Sequence, residues 1–168
     1  MVITALFIAI GIVLPLAFHT VPNAGRVFLP IHIPVFMCGL VCGFPYGLLC
    51  GLIVPPLASL FTGMPPLPIL PAMIFELAAY GAATGLLISY LPVKNLYIKI
   101  YVSLVVSMLF GRVFFGIMNA LLFSAGSYSF GAWLTAAFVT ALPGIVVQIV
   151  VIPVVIVALS KTKLVEIK

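Results

Sequence analysis

Long apolar runs follow one another along the chain, separated by short polar or Pro- and Gly-containing breaks. The first covers about 2–18 and leads into "HTVPNAGRVFLP", residues 19–30. The second covers about 31–44 and the third about 46–62, with a tight "FPY" turn at 44–46 between them. "TGMPPLPILP", residues 62–71, precedes the fourth run, about 71–91. The fifth covers about 98–123, and "SAGSYS" at 124–129 leads into the sixth, about 130–159. The tail "SKTKLVEIK" closes the chain. Runs of this kind predict membrane-crossing helices. The expected fold is all-α, a six-helix transmembrane bundle forming one domain over residues 1–168.

Runs two and three are short for a bilayer, since about 15 residues of helix cover only about 22 Å. One helix over 31–62 would be too long and would have to absorb Pro34, Pro45, Pro55 and Pro56. Two short helices, broken or tilted and sheltered by neighbours, fit better. Eleven of the 14 prolines fall between residues 15 and 71, so the first half is expected to be the irregular one. Gly39, Gly43, Gly47 and Gly51 recur every four residues across the turn. Small residues at that spacing predict tight packing of the second helix on the third.

Composition makes the membrane reading firm. Hydrophobic residues make up 65% of the chain and charged ones 5%, and mean hydropathy is +1.47. So few charges could not cover the surface of a water-soluble domain. The opening "MVITALFIAIGIVLPLAF" lacks the basic start and small-residue cleavage site of a signal peptide. It reads as a retained first helix, with a short basic leader expected ahead of it. Lys94 and Lys99 flank the break between runs four and five, and Lys161, Lys163 and Lys168 lie in the tail. With both termini in the cytoplasm, all five lysines face inward, as the positive-inside rule asks. The expected location is the plasma membrane of a bacterial-type cell. The net charge of +5 forms no basic stripe, which argues against nucleic acid as a partner.

The polar residues inside the runs are few. Glu76 is the one charged residue between Arg26 and Lys94. Tyr80, four residues on, shares its helical face. Arg112 lies near the middle of the fifth run, with Asn119 two turns outward on the same face. Gln148 sits past the middle of the sixth, with Thr140 nearer the outside. A buried arginine must face the bundle interior, a ligand or a carboxylate. Glu76 and Arg112 can form an internal ion pair, and such a pair beside a cavity can also open to a charged ligand. His19 and His32 bracket the first outer stretch, "HTVPNAGRVFLPIH". This stretch and "LFTGMPPLPILP" lie on the same side; folding over the outer mouth and serving as simple turns fit them equally well.

No catalytic motif is present: there is no His-Glu-x-x-His, no Gly-x-Ser-x-Gly and no phosphate-binding loop ending in Lys-Ser or Lys-Thr. Catalytic residues are therefore expected to be none. Cys38, Cys42 and Cys50 lie in apolar sequence without further ligands close by, so they read as small apolar helix residues and no metal is expected. Without a nucleotide motif, any pumping must draw its energy from elsewhere.

The first run contains "ALFIA", an Ala5-x-x-x-Ala9 pair. Residues 29–81 read "LPIHIPVFMCGLVCGFPYGLLCGLIVPPLASLFTGMPPLPILPAMIFELAAYG". The chain resembles, over nearly its full length, the substrate-binding S components of energy-coupling factor (ECF) vitamin transporters. The 29–81 stretch resembles the pantothenate branch, with Pro-x-His-x-Pro-Val, spaced glycines, Thr-Gly-Met-Pro-Pro and Phe-Glu-Leu. The resemblance implies high-affinity capture of a vitamin in an outward-facing pocket under the outer loops. It implies delivery with a transmembrane coupling subunit, against which Ala5 and Ala9 would pack, and with two partner ATPases that hydrolyse ATP. This chain would itself carry no cofactor. The expected substrate-binding residues are Glu76, Tyr80, Arg112, Asn119, His32 and Arg26. Hydroxymethylpyrimidine, niacin, pyridoxine-type and folate-type substrates belong to related branches. Rival readings are an autonomous channel or secondary transporter, and a scaffold that binds no small molecule.

Overall fold

A computed structural model describes residues 1–17, 24–122 and 129–162, the side chains of Ala24, Arg26 and Leu122 excepted. His19, Lys163 and Lys168 lie outside the described residues. Every element is helical: α1 (Val2–Ala17), α2 (Ala24–Phe28), α3 (His32–Cys42), α4 (Phe44–Thr62), α5 (Leu70–Tyr90), α6 (Leu96–Leu122), α7 (Phe130–Leu134), a π-helical stretch Thr135–Thr140, and α8 (Leu142–Lys161). Helices α4, α5, α6 and α8 are long and apolar enough to cross a membrane by themselves, whereas α1 and α3 are shorter apolar helices.

The expected boundaries shift in three places. Helix α3 is short, at 11 residues, but α4 is not: its 19 residues rise about 28 Å. The "FPY" segment is not the turn. Gly43 alone makes it, at φ +84°, and Phe44, Pro45 and Tyr46 already belong to α4. Glycine adopts this dihedral without a Cβ clash, and Pro45 sits in the first turn, where no amide donor is needed. The expected sixth span is divided. It begins as α7, widens into the π-helical stretch, turns at Ala141 and continues as α8. Within "HTVPNAGRVFLP", one turn of helix, α2, forms where the sequence suggested only a lid or a turn.

Glycines set how closely the helices approach. A Cβ on Gly47 or Gly51 would overlap the α5 backbone at Gly81 and Leu77. A Cβ on Gly81 or Gly85 would overlap α4 at Gly47 and Phe44. Gly39 of α3 faces the same Gly81 carbonyl. The four-residue glycine repeat thus seats α3 and α4 jointly on α5, rather than chiefly on each other. In a bilayer, where apolar burial between helices gives little driving force, such backbone approach supplies dispersion contact. The shared core includes Val35, Phe36, Val54, Leu77, Leu104 and Ile152. Helix α1 joins through a single stripe of Thr4, Phe7, Gly11 and Pro15. An outward ridge at four-residue spacing, Val146–Val150–Val154 on α8, is exposed and suits contact with lipid tails, while Val105 and Leu109 of α6 line a cleft described below.

Gly81→Val is expected to destabilise the fold by about 3 kcal/mol, the upper end for overpacking, because the obstruction is backbone. Gly131→Ala, where nothing is closer than 3.9 Å, should stay within about 0.5 kcal/mol. Thermal unfolding of the two variants in detergent would measure the difference.

Candidate functional site

Helix α5 carries Glu76 and Tyr80 one turn apart, and the pair is joined: the Tyr80 hydroxyl donates to Glu76 Oε1 at 2.8 Å. Arg112 of α6 brings Nη1 to the same oxygen at 3.0 Å. His32, the first residue of α3, directs Nε2 at Glu76 Oε2 from 3.9 Å, beyond hydrogen-bond reach. All four side chains are buried. The Tyr80 ring has Phe36 at 4.7 Å and His32 at 5.5 Å, centroid to centroid. On its α6 side the ring lies where a Cβ of residue 111 would be, so Gly111 makes room for it. One carboxylate therefore gathers three helices.

The supports of Arg112 come from the far end of the chain. Trp133 Nε1 donates to the Arg112 carbonyl at 3.1 Å. Its indole covers Gly116, one turn further along α6, in space that a Cβ would occupy. The π-helical stretch that follows places Phe138 edge-on to Trp133, with ring centroids 5.7 Å apart. π-Helical turns often sit at functional sites, and this one adds a wall to a cleft.

The cleft, about 110 Å³, lies between α5, α6 and α8. Tyr80, Met108, Arg112, Phe138, Ile145 and Gln148 border it. Its walls are mainly aliphatic and aromatic, with Arg112 and Gln148 as the strongly polar groups. Arg112 thus both pairs with Glu76 and lines the cleft. Apolar walls with a few placed polar groups are usual in small-molecule pockets, and this cleft, at about 110 Å³, is smaller than their usual ~300–1,000 Å³.

A buried ion pair is weak support for stability. Desolvating both ions consumes most of their mutual attraction, and apolar substitutes of equal volume are often as good. Both nitrogens of His32 are buried without a hydrogen-bond partner among the described residues. An intramembrane ion pair beside an unpartnered imidazole marks this cluster as the candidate functional site.

The model of a protein family described as "ECF transporter, substrate-specific component" matches residues 1–156. The chain belongs to the substrate-specific components of ECF transporters. No curated protein and no solved structure matches it. As an S component, the chain is a multi-pass membrane protein. The family is that of a transporter's substrate-binding subunit, not of an enzyme, and it implies a small-molecule substrate with ECF coupling and ATPase partners.

Four of the six residues expected to bind substrate, Glu76, Tyr80, Arg112 and His32, come together. Asn119 does not join them. It is buried, but Nδ2 donates to Phe115 of its own helix at 3.0 Å, and it makes no hydrogen bond to the cluster. Arg26 lies in α2, and its side chain falls outside the described residues. Ala5 and Ala9 are exposed on α1, away from the stripe it buries. Cys38 and Cys50 are buried thiols, and Cys38 donates to the Tyr46 carbonyl at 3.4 Å. Sequence reasoning noted Gln148 as polar but assigned it no role, and it missed Trp133 as a partner of Arg112. Gln148 had a usable signal, a lone carboxamide in an otherwise apolar run. Trp133 had none, because its target is a backbone carbonyl.

In the ligand-free S component, Glu76→Leu alone or Arg112→Met alone is expected to cost about 3–5 kcal/mol by leaving an uncompensated buried group. The double variant should lose less than either single one. A double-mutant cycle on unfolding in detergent would read this, and additive losses would mean the pair is not coupled.

Proposed function

We propose that this S component captures a B-type vitamin, with pantothenate as the substrate, and hands it to its coupling subunit for ATP-driven import. The observation that carries the reading is the Glu76–Arg112 pair with the unpartnered His32 beside it, two members of the cluster, Tyr80 and Arg112, also lining an otherwise apolar cleft. Pantothenate has groups for each part. Its carboxylate suits the guanidinium edge of Arg112, its hydroxyls suit Glu76 and His32, and its amide suits Tyr80. Its geminal methyls and short aliphatic stretch suit the apolar walls. Residues 29–81 resemble the pantothenate branch over the segment that supplies His32, Glu76 and Tyr80, and Arg26 is assigned to the same ligand from the adjoining outer stretch.

The proposed arrangement is six spans in one domain, both termini in the cytoplasm and the cluster in the outer half of the plasma membrane. Ala5 and Ala9 offer a small, exposed surface for the coupling subunit. The ATP is hydrolysed by partner subunits, and this chain holds no cofactor. A second reading, a flat aromatic vitamin carrying an acidic group, such as niacin, is favoured by the rings of Tyr80 and Phe138 on the cleft.

The decisive experiment is to purify the chain in detergent, extract it with denaturant and identify bound small molecules by mass spectrometry. Stoichiometric pantothenate is expected. Another vitamin would replace the substrate and keep the role. An empty protein that also binds no member of a B-vitamin panel would overturn the role and turn attention to ATP-independent flux. The charge exchange Glu76→Arg with Arg112→Glu is expected to leave binding lost by at least about tenfold, roughly 1.4 kcal/mol, because a carboxylate would then face the ligand's own. Recovery of wild-type affinity would make the pair purely structural. Ala5→Trp with Ala9→Trp should abolish uptake in cells carrying the full transporter while leaving vitamin binding by the isolated subunit intact.

A further inference from the structure

Helix α7 is five residues long and buries none of them fully. A segment of that kind adds little to the core. Its directed contact is made by Trp133, the single tryptophan of the chain. Ser129 caps the helix, its Oγ accepting from the Ala132 N–H at 3.2 Å and its carbonyl from the Trp133 N–H at 3.1 Å. Both bonds hold the backbone from which the indole projects. The ring lies against α6 where Gly116 has no side chain, and a Cβ there would overlap Nε1. Nε1 donates to the Arg112 carbonyl at 3.1 Å.

That carbonyl lies within a continuous helix, where it is the acceptor for the N–H four residues on. The indole therefore uses its second lone pair. The bond ties α7 to the turn of α6 that carries the buried arginine. The same ring meets Phe138 edge-on, with centroids 5.7 Å apart. Five residues separate the two, the span of a π-helical hydrogen bond, and Phe138 belongs to the π-helical stretch. Arg112 and Phe138 both border the cleft, one from α6 and one from that stretch, whereas Trp133 does not line it. One side chain outside the cleft thus touches two residues of its wall.

We propose that Trp133 is a positioning residue for ligand selectivity. Through the Arg112 carbonyl and the Phe138 ring it fixes where the arginine stands against the opposite wall, and so sets the preference for an acidic ligand. This rests on the vitamin-binding reading above. A guanidinium recognises a carboxylate through directional, charge-assisted N–H···O bonds, which tolerate only small displacements of the group that makes them. Glu76 fixes the Arg112 side chain at 3.0 Å, and the indole fixes its backbone. Removing the indole N–H leaves the first restraint and releases the second. The uncharged parts of a ligand, held by aliphatic walls, feel such a shift less because apolar contact is non-directional.

The test uses the full chain in detergent. Titration calorimetry measures Kd for pantothenate and for pantothenol, in which a hydroxymethyl group replaces the carboxylate. Wild type is expected to prefer pantothenate at least tenfold. Trp133→Phe keeps a ring and removes the N–H. Gly116→Ala keeps Trp133 and displaces its indole by filling the notch on α6. In each variant that folds, the preference should fall at least threefold, through weaker binding of pantothenate. A merely structural Trp133 would weaken both ligands by the same factor and leave the preference unchanged. A fall of less than threefold in either folded variant overturns the proposal, as does a wild type that prefers the acid less than tenfold. Loss of folding in both variants also overturns it, because the fold itself would then need the contact. Each of these results leaves the vitamin-binding reading standing. If the bound vitamin is niacin, nicotinate and nicotinamide form the probe pair, and a vitamin without an acidic group overturns the proposal alone. Wild type that binds no vitamin of the panel overturns both.

Discussion

Arg112 is a permanent cation in the middle of a helix whose neighbours are Gly111, Val113 and Phe114. Such a side chain needs an opposite charge or polar ligand at membrane depth. Glu76 meets the need, and much of the architecture can be read as the means of bringing the two within 3.0 Å. Helix α6 must lie against α5 with their polar faces matched, so Gly111 is reduced to a hydrogen and Tyr80 fills the space while donating to the same carboxylate oxygen. Trp133 then covers the next turn of α6 and binds the Arg112 carbonyl. Each of these features would be expendable in a bundle held by apolar contact alone.

The glycine contacts work on a different scale. They bring α3, α4 and α5 to backbone distance, which a bilayer rewards because side-chain burial between helices gains little over lipid. Their consequence for the site is indirect. Packing Gly39 against Gly81 sets the height of α3 on α5, and this carries His32 to the level of Glu76. The 3.9 Å left between imidazole and carboxylate is wide enough to keep them unbonded and narrow enough for one polar group of a ligand to engage both.

The second half of the chain supplies most of the cleft. Helices α6 and α8 enclose a cleft between them, and the interrupted column α7–π–α8 turns Phe138 toward it. Arg112 and Gln148 are its strongly polar borders, and each is tied elsewhere, one to Glu76 and the other to Leu29.

The sequence by itself determined the class, the family resemblance and most of the polar inventory. Apolar runs separated by prolines and glycines, with so few charges, read as membrane helices, and a lone Arg in such runs must face the bundle interior, a ligand or a carboxylate, which makes Glu76 one candidate partner. That Glu76 and Tyr80 share a helical face is legible from one turn of spacing, and the hydrogen bond between them is what the structure adds. What lay beyond sequence reasoning depended on distances between helices. Helix α4 is longer than the apolar run predicts because a single residue, Gly43, makes the turn expected over Phe44–Tyr46. Asn119 shares the Arg112 face by register, and only the structure shows that its amide donates to the Phe115 carbonyl of its own helix. The partnerships of Gln148 with Leu29 and of Trp133 with Arg112 involve backbone carbonyls, which every residue carries and which therefore leave no mark in the sequence. Tertiary structure alone decides which of those carbonyls a side chain meets.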